Sequence, residues 1–496
     1  MPGFTRSLTQ PTWLGNTLSG LVAIGAAVGL GIAINKGGVP VAGALIALPP
    51  AIAYVLFCIM RPVIGMWTYI HCSFFINGLG RLLETEAPFG LAIDGLLLLT
   101  LLGMWLSTDR ADDRPSNSVN TAVFYLVLAW FLYTLLELLN PETRSREAWF
   151  YAVRGVSLYW IQVVVIVLKL VNDRTQIDRF VRVWLGWSIV AALWGFKQQY
   201  VGLVHGEIMW LESGAKKTHV LFGHLRSFSF YSDAGQFGAA MAHVSLFAIL
   251  KALEEPKLTR KLIYAGLAVF YFWGFAIAGS RGPLFVLAVG IIMYLFLKKN
   301  VLILTIGIVI GGGAFGLLKY TTVGQGNYQV QRIRSALDPN DPSLQVRLEN
   351  QQKLAAYLKT RPLGGGIGSG GDWGRRFSPG TFLAETALDS WYVKIWVESG
   401  VVGLSVHLLT LVIMGIIGFI QVARLRDPTL KSTMTGLYCG FVGVAAASYG
   451  NQVFGQSPSN TVLYVSIALF CTCGRFDSPP VAEAKNRSVH KQIYAA

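Results

Sequence analysis

Charged residues are scarce in this chain. They make up 14% of its 496 residues, against 53% hydrophobic residues, whereas an ordinary soluble domain is about 25% charged. This scarcity excludes a protein that is mainly globular and water-solvated. Apolar runs of about 20 residues recur instead, which is the length that crosses the hydrocarbon core of a bilayer. The composition therefore predicts an all-α polytopic membrane protein with about 12 to 14 transmembrane helices embedded in the lipid bilayer.

Acidic residues are also few. The chain has 26 Asp and Glu against 41 Lys and Arg, which gives a formal net charge of +15. Many of the basic residues fall in short loops, such as Lys298, Lys299 and Arg424, and cytoplasmic loops of membrane proteins carry such an excess. The pattern predicts that both termini are cytoplasmic. No basic patch alternates with exposed aromatic residues, so we expect no nucleic-acid partner.

Cysteine is rare as well, with five residues that all fall in apolar stretches. Their spacing matches neither a disulfide framework nor a zinc site. We therefore predict no cysteine-held metal site and interpret these cysteines as small apolar packing residues. No other motif in the sequence indicates a metal site or a cofactor.

The apolar segments leave one long gap. They are predicted at 14–34, 39–60, 62–80, 88–106, 119–140, 149–171, 182–203, 235–251, 262–280, 283–297, 301–318, 400–423, 433–455 and 458–473. The gap is residues 320–388, here called the polar segment. The loop charges predict that it is one large extracytoplasmic loop that carries amphipathic helices. We divide the chain into a helical scaffold (1–203), a core that contains the polar segment (204–473) and a cytoplasmic tail (474–496).

Three arginines are predicted on the same side as the polar segment. Arg226 precedes the apolar segment 235–251, Arg281 follows the segment 262–280, and Arg347 lies within the polar segment. Arginines at helix ends often only anchor the helix in the headgroup region. Several of them on one face also suit a diphosphate, because guanidinium groups bind phosphate oxygens bidentately and stay charged. We predict a diphosphate site formed by these three residues.

Arg347 is predicted to lie on a helix. Asp341 can cap that helix, and Pro342 fits its first turn. Its apolar stripe is predicted to be Leu344, Leu348, Ala355 and Leu358.

A glycine run at 364–371 follows this helix. Successive backbone N–H groups can form an anion-binding nest, which makes Gly366 and Gly368 candidate loop contacts of the substrate. Glycine clusters also form ordinary turns, and both interpretations stay open here. The run is not a Walker motif, since no Gly-Lys-Ser/Thr sequence follows it.

Asp389 directly follows the polar segment. An aspartate at the start of a helix is commonly an N-cap. Alternatively, a carboxylate at this position could act as a general base that takes a proton from an acceptor hydroxyl. Glu385 is the nearest competitor for the catalytic role, and Glu398 is a weaker one.

The order of these motifs resembles the superfamily of O-antigen ligases and Wzy-type O-antigen and exopolysaccharide polymerases of bacterial envelopes. The resemblance covers roughly residues 220–420. It is carried by the run from Arg226 to Gly235, by Ser280-Arg281-Gly282, by Arg347-Leu348, by the run from Arg361 to Gly368, and by Asp389-Ser390 followed by Gly400 and Gly403.

The resemblance implies a membrane glycosyltransferase in the bacterial inner membrane, with a periplasmic active face. Its donor would be a glycan linked to undecaprenyl diphosphate, held by the arginines, and its acceptor a hydroxyl of a glycan or glycolipid. Neither a metal nor a nucleotide sugar is implied. Other polysaccharide export proteins are further candidate partners.

The chain departs from the ligase pattern at one point. Ligases of this superfamily typically carry His-Asn or His-Ser where this sequence has Asp389-Ser390, and no histidine occurs within the polar segment. His219 and His224, which lie close to Arg226, are the candidate substitutes. Polymerase and ligase both stay open.

Two other functions compete with a transferase. A flippase or other transporter of lipid-linked oligosaccharides would place its charged residues near the bilayer midplane and often contains inverted repeats. The candidate charges here cluster at one face instead, and the sequence shows no internal repeat. A non-catalytic scaffold of envelope assembly would not need arginines brought together.

Overall fold

The computed structural model describes residues 38, 43, 46–85, 89–106, 119–299, 301–335, 338 and 340–477. The predicted segment 14–34 and the tail from residue 478 onward lie outside the described residues. Helices dominate the described part, which confirms the predicted all-α class. The exception is one small antiparallel hairpin between residues 220 and 225.

The chain divides into two compact units. The first consists of Met1–Gly65 and Leu99–Asp109, and the second of Met66–Leu98 and Arg110–Ala496. The first three helices are α1 (Ile46–Met60), α2 (Pro62–Leu83) and α3 (Gly90–Leu106). In the first unit α1 and the end of α3 are in close contact, since a Cβ at Gly103 would lie 2.6 Å from the Cys58 carbonyl oxygen.

The second unit holds the remaining elements. Up to the hairpin they are α4 (Ala122–Leu136), α5 (Arg146–Val153), α6 (Tyr159–Leu170), α7 (Arg174–Phe196), α8 (His205–Trp210), α9 (Lys216–His219), β1 (Val220–Leu221) and β2 (His224–Leu225). After it come α10 (Ala234–Glu254), α11 (Leu258–Ile277), α12 (Leu284–Lys298), α13 (Val301–Tyr320), α14 (Tyr328–Ser335), α15 (Pro342–Leu358), α16 (Gly371–Phe377), α17 (Phe382–Glu385), α18 (Trp391–Arg424), α19 (Pro428–Ala447) and α20 (Ser459–Cys471).

Five stretches of described helix are long and apolar enough to cross a membrane, or up to six if one bent pair counts as a single span. They are Ala122–Leu139, Arg146–Leu170, Ala234–Glu254, Leu258–Ile277 and Trp391–Arg424. Three shorter apolar helices, α3, α12 and α20, add to them. The structure thus describes a multi-pass membrane protein, and within its described residues some predicted apolar segments form helices shorter than a full span. One of these is α20, every residue of which is buried.

The core of the second unit is built around α10. This helix packs against α11, α12 and α19, and most of its residues are buried. Small residues make the close contact possible: a Cβ at Gly290 of α12 would lie 2.2 Å from the Leu246 side chain. Neighbouring α20 packs against α6, α18 and α19. Packing on α10 therefore fixes the positions of α11, α12 and α19.

Local sequence sets where several of these helices begin. The Asp233 carboxylate accepts hydrogen bonds from the backbone N–H groups of Gly235 (2.7 Å) and Gln236 (3.0 Å) at the start of α10. Asp427 caps α19 in the same way, with Pro428 in the first turn. A side-chain acceptor at this position satisfies N–H groups that have no partner within the helix.

A polar loop at 448–458 follows α19. Its Ser448 carbonyl accepts the backbone N–H of Trp391 at 3.0 Å, which ties the loop to the start of α18. Asn451 lies against Gly282, where an added Cβ would be 2.5 Å from the Asn451 side-chain nitrogen. The starts of α12 and α18 and the end of α19 therefore meet at one place, and that place holds the candidate site.

Candidate functional site

The predicted helix around Arg347 exists and begins where expected. It is α15, whose N-cap Asp341 accepts backbone hydrogen bonds from Ser343 (3.0 Å) and Leu344 (3.1 Å), with Pro342 in the first turn. The predicted apolar stripe is wrong in part: Leu354 and Leu358 are buried, whereas Ala355 is exposed. The cause is the packing of the C-terminal half of α15 on α18, which places residue 354 at the contact in place of 355.

Leu344 and Leu348, the other two members of that stripe, also remain partly outside the core. They are 37% and 39% exposed. Both side chains border a cavity and do not pack in the interior.

Asp341 has a second function besides capping α15. Its two carboxylate oxygens receive the two terminal nitrogens of Arg281, with Nη1 to Oδ2 at 2.5 Å and Nη2 to Oδ1 at 3.0 Å. Arg281 Nη1 also donates to the Ser335 carbonyl oxygen at 3.2 Å, and Nη2 donates to the Ser343 hydroxyl. The side chains of the pair are only 17% and 13% exposed. Arg281 thus links the turn before α12 to the N-terminus of α15.

This pairing determines the ionisation of Asp341. Partial burial alone would raise its pKa, but the hydrogen bonds and the charge of Arg281, together with the bonds from Ser343 and Leu344, outweigh burial and hold the pKa well below the usual range. The residue is therefore an anion at any physiological pH.

Arg347 pairs with Asp389. The distance from its Nε to Asp389 Oδ2 is 3.3 Å, and its Nη1 donates to the Gly450 carbonyl oxygen at 3.2 Å. The two side chains are 35% and 47% exposed, so both remain accessible to a ligand.

Asp389 does not cap α18, so the N-cap interpretation of this residue is wrong. The cap is Ser390, whose hydroxyl accepts the backbone N–H of Val393. The carboxylate of Asp389 therefore makes no capping hydrogen bond to α18 and instead pairs with Arg347.

One cavity of about 300 Å³ brings three of the predicted residues together. Arg281, Arg347 and Asp389 all line it, together with Asp341 and Ser390. The apolar part of its lining is formed by Phe285, Leu344, Leu348, Leu354, Val393, Ala446 and Tyr449. The lining holds two cations, Arg281 and Arg347, and three carboxylates, Asp338, Asp341 and Asp389. A cavity of this size with charged and apolar parts suits a small polar group that carries an apolar extension.

Arg226 is not among the residues that line this cavity. Its Nη1 donates to the Thr218 carbonyl oxygen at 2.7 Å, and its Nε to the Ala278 carbonyl oxygen at 3.3 Å. Ala278 is the C-cap of α11, which leads to Arg281. In this geometry Arg226 connects the hairpin region to the end of α11.

The histidines near Arg226 also lie apart from the cavity. His219 is buried against Trp210 and Phe228. Its Nδ1 lies 3.0 Å from the Ala215 carbonyl oxygen, and burial lowers its pKa. His224 is an exposed residue of β2. Neither therefore substitutes at the cavity for the histidine that the ligases carry at the position of Asp389.

The glycine run supports packing between segments. Gly364, Gly366 and Gly368 have positive φ values of 75°, 89° and 85°. A Cβ at Gly366 would lie 2.2 Å from the Thr143 hydroxyl oxygen, and one at Gly368 would lie 2.5 Å from the Ala148 carbonyl oxygen. The run therefore faces the 143–148 region of the chain, and neither glycine lines the cavity of Arg347 and Asp389. The run thus forms a packed turn in this structure, and a contact between its N–H groups and a substrate stays a prediction.

The two competing acids lie elsewhere. Glu385 is exposed at the end of α17, and its carboxylate accepts the backbone N–H of Gly380 at 3.1 Å. Glu398 is fully buried within α18. Of the three acids considered as a base, Asp389 is the one that lines the cavity. Over the described residues, no group of three or more His, Cys, Asp and Glu side chains is arranged to hold a metal ion.

The contacts that the 448–458 loop contributes to the candidate site were not predicted from the sequence. Ser448 accepts the backbone N–H of Trp391, Gly450 accepts Arg347, and the Gln452 side chain donates to the Leu388 carbonyl oxygen. An apolar segment was predicted at 433–455, but α19 ends at Ala447. The polar run Tyr449-Gly450-Asn451-Gln452 was the signal for an earlier helix end.

Residues 266–408 match a family model described as O-antigen ligase. No curated protein matches the chain significantly. The matched region contains Arg281, Arg347, the glycine run and Asp389, whereas His224 and Arg226 precede it. The family resemblance that the motifs indicated is therefore confirmed.

Proposed function

Because residues 266–408 are similar to the O-antigen ligase and polymerase family, we propose that the cavity of Arg281, Arg347 and Asp389 transfers a glycan from a polyprenyl-diphosphate carrier to an acceptor hydroxyl. The observation that carries this proposal is the Arg347–Asp389 pair. A cation and a carboxylate lie next to each other there, both accessible, just before the start of α18. Such a pair supplies one group for the leaving diphosphate and one for the acceptor proton.

In the proposed reaction, the acceptor hydroxyl oxygen attacks the anomeric carbon of the donor glycan. The bond between that carbon and the phosphate oxygen breaks as the new glycosidic bond forms. Asp389 takes the hydroxyl proton, and the polyprenyl diphosphate leaves with the bonding electron pair. Arg347 faces the developing negative charge on the phosphate, because a guanidinium group stays charged and binds phosphate oxygens in two places.

Arg281 is the second proposed diphosphate ligand, but its position is different. Four of its N–H donors are used by Asp341, Ser335 and Ser343. A phosphate oxygen must replace at least one of these acceptors to be bound bidentately. Arg347, with one ion pair at 3.3 Å, needs a smaller rearrangement, so we assign it the first contact with the donor. Arg226 is assigned a structural function, because its contacts with Thr218 and Ala278 connect the hairpin region to the end of α11.

The first prediction concerns the central pair. Arg347→Ala and Asp389→Asn should each lower the transfer rate about 100-fold or more, since each removes a group that acts on charge or proton transfer in the transition state. The measurement is transfer by purified protein in proteoliposomes supplied with a polyprenyl-diphosphate glycan and an acceptor.

Lys353→Ala is the matched control. Lys353 is another cation of α15, but it pairs with Glu349 on the exposed surface and does not line the cavity. This variant should keep full transfer. If Arg347→Ala and Asp389→Asn also keep it, the proposed site is wrong. Products separate the two family activities, since a polymerase joins glycan repeats and a ligase transfers glycan to a different acceptor.

A further inference from the structure

One face of α15 points into the cavity. Arg347, Asn350, Gln351 and Leu354 all line it, and their spacing of three, four and seven residues places them on the same side of a helix. Arg347 and Leu354 each have a partner, the former in Asp389 and the latter in a buried apolar cluster. The two residues between them are polar and are not explained by the transfer chemistry.

Asn350 and Gln351 are half-buried at this cavity. Within the part of the chain that the structure describes, neither side-chain amide has a hydrogen-bond partner in the protein. Each carboxamide offers two N–H donors and one carbonyl acceptor. Partly buried polar groups that face a cavity gain most from a ligand that satisfies them.

We propose that Asn350 and Gln351 form a saccharide subsite that holds a pyranose ring beside the reacting centre. Resting on the proposed function, this inference names the part of the substrate that the α15 face recognises. A carboxamide can donate to one hydroxyl and accept from its neighbour, which matches the adjacent hydroxyls of a pyranose. Tyr449, 58% exposed and part of the same cavity, supplies a ring face for the C–H groups of the sugar.

The charges of the cavity favour a neutral sugar ring over a second phosphate at this position. The cations that line the cavity among the described residues are Arg281 and Arg347, and both are assigned to the diphosphate. Asp389 lines it too and disfavours an additional anion by repulsion. A neutral ligand that consists mainly of hydroxyl groups satisfies the amides without that cost.

The subsite is held rigidly from both sides. On the N-terminal side, Asp341 fixes the first turn of α15 to Arg281. On the C-terminal side, Leu354 and Leu358 are buried in a cluster with Leu383, Leu388, Val393 and Val397. A polar face between two fixed points loses little conformational freedom when a ligand binds, and this preorganisation favours affinity.

The ring could belong to the donor glycan or to the acceptor, since both bring a sugar to the reacting atoms. The test is the double substitution Asn350→Ala with Gln351→Ala in the full-length protein in proteoliposomes, measured as separate KM values for donor and acceptor. Loss of two or more neutral hydrogen bonds should raise one of these KM values about tenfold or more. The substrate whose KM rises is the source of the ring.

Binding of a polyprenyl diphosphate without sugar, measured on the same variant, should be unchanged, and it also reports that the protein is folded. Gln352→Ala is the matched control, because Gln352 is the neighbouring amide, exposed and outside the cavity. It should leave both KM values unchanged. The single variants Asn350→Ala and Gln351→Ala should each give a smaller increase of the same KM.

Unchanged KM values in the double variant, in a protein where Arg347→Ala and Asp389→Asn do lose transfer, would overturn the saccharide subsite and leave the transfer site standing. Retention of transfer by Arg347→Ala and Asp389→Asn would overturn the transfer site, and the subsite with it. An equal rise of KM in Gln352→Ala would also count against the subsite, because the effect would then not follow the cavity face.

Discussion

Arg281 and Arg347 differ in burial and in the geometry of their ion pairs, and this difference determines how readily each can bind a ligand. Arg281 is 17% exposed and makes a bidentate pair with Asp341, whereas Arg347 is 35% exposed and its pair with Asp389 measures 3.3 Å. An accessible single contact exchanges for a ligand at lower cost than a half-buried bidentate one. The structure therefore makes Arg347 the more available cation and Arg281 the more structural one.

Replacement of Asp341 by Asn separates its two functions. Asparagine caps a helix about as well as aspartate, so α15 should still begin at Pro342, but the charge that binds Arg281 is lost. Loss of a charge-assisted hydrogen-bonded pair should lower the free energy of unfolding by about 1.5–3 kcal/mol. Thermal or denaturant unfolding of the purified protein in detergent measures this difference.

The same comparison has a defined pH dependence. The folded-state pKa of Asp341 is lowered, so its contribution to stability is fully present above the unfolded-state pKa of about 3.9. It is lost as the pH falls below that value and through the folded-state pKa. The stability difference between wild type and Asp341→Asn should thus be constant from about pH 8 to pH 5 and shrink below pH 4. A difference that shrinks near pH 7 would contradict this ion-pair account.

At the level of single residues, the sequence predicts chemistry better than contacts. Arginine and aspartate residues near helix ends could be named as candidates because their charges are costly in lipid. Which of them meet depends on tertiary packing. Arg347 and Asp389 do meet, whereas Arg226 is used by two backbone carbonyls. The partner of Asp341 could not be read from the sequence, because a capping aspartate looks the same whether or not an arginine approaches it.

Among the helices, α18 shows how the polar segment is attached to the membrane-spanning part. The helix is interrupted at Gly400, with φ 64° and ψ −169°. The Pro362 carbonyl oxygen enters this interruption and accepts the backbone N–H of Val402 at 3.2 Å, while Gly365 donates to the Val397 carbonyl oxygen at 2.9 Å. The end of the loop that carries α15 is therefore fixed to α18, a short distance along the chain from Asp389.

Gly400→Ala should disrupt this attachment. A Cβ there would lie 1.9 Å from the Pro362 carbonyl oxygen, and this backbone conformation is one that only glycine adopts without strain. Strain and clash together should lower the free energy of unfolding by about 3 kcal/mol or more. Transfer activity should fall with it, since Asp389 and α15 would lose their common support.

Gly415→Ala is the control within the same helix. An added Cβ at this position meets no atom within 4 Å, and alanine favours a helix over glycine by about 1 kcal/mol. This variant should unfold at the same temperature as wild type or slightly above it. Equal destabilisation by both substitutions would mean that the docking of the polar segment at Gly400 does not contribute.

The helices were predictable where their ends carry local signals. Asp341 and Pro342 marked the start of α15, and the structure begins that helix at Pro342. The apolar segment predicted at 400–423 begins too late, because α18 starts at Trp391 and its first turns contain Lys394 and Glu398. A hydropathy pattern misses the part of a helix that contains charged residues when protein, and not lipid, surrounds those residues.

At the scale of the whole molecule, the candidate site depends on several helix ends that meet within the second unit. The starts of α12 and α18 and the end of α19 are joined there by the 448–458 loop. The order of the motifs along the chain was enough to indicate a resemblance to the family whose model matches residues 266–408. The loop that joins them was not recognised, since its residues carry no charge and follow an apolar helix directly.

The side of the membrane on which this site lies can be tested with introduced cysteines. We expect the site to face the periplasm, because the short loops on the opposite side carry the excess of lysine and arginine. Gln352→Cys places a thiol on the exposed surface of α15, and Thr259→Cys places one at the exposed start of α11, toward the predicted cytoplasmic side. The five native cysteines give little background, as four are buried and Cys72 is half-buried.

A membrane-impermeant maleimide should label Gln352→Cys in right-side-out vesicles and Thr259→Cys only in inside-out vesicles. Detergent should make both thiols accessible, which shows that a lack of labelling reflects the membrane and not the fold. The reverse pattern would place the cavity of Arg347 and Asp389 in the cytoplasm. Labelling of both residues from the same side would contradict the predicted passage of α11 across the bilayer, since Thr259 and Arg281 lie beyond opposite ends of the apolar part of that helix.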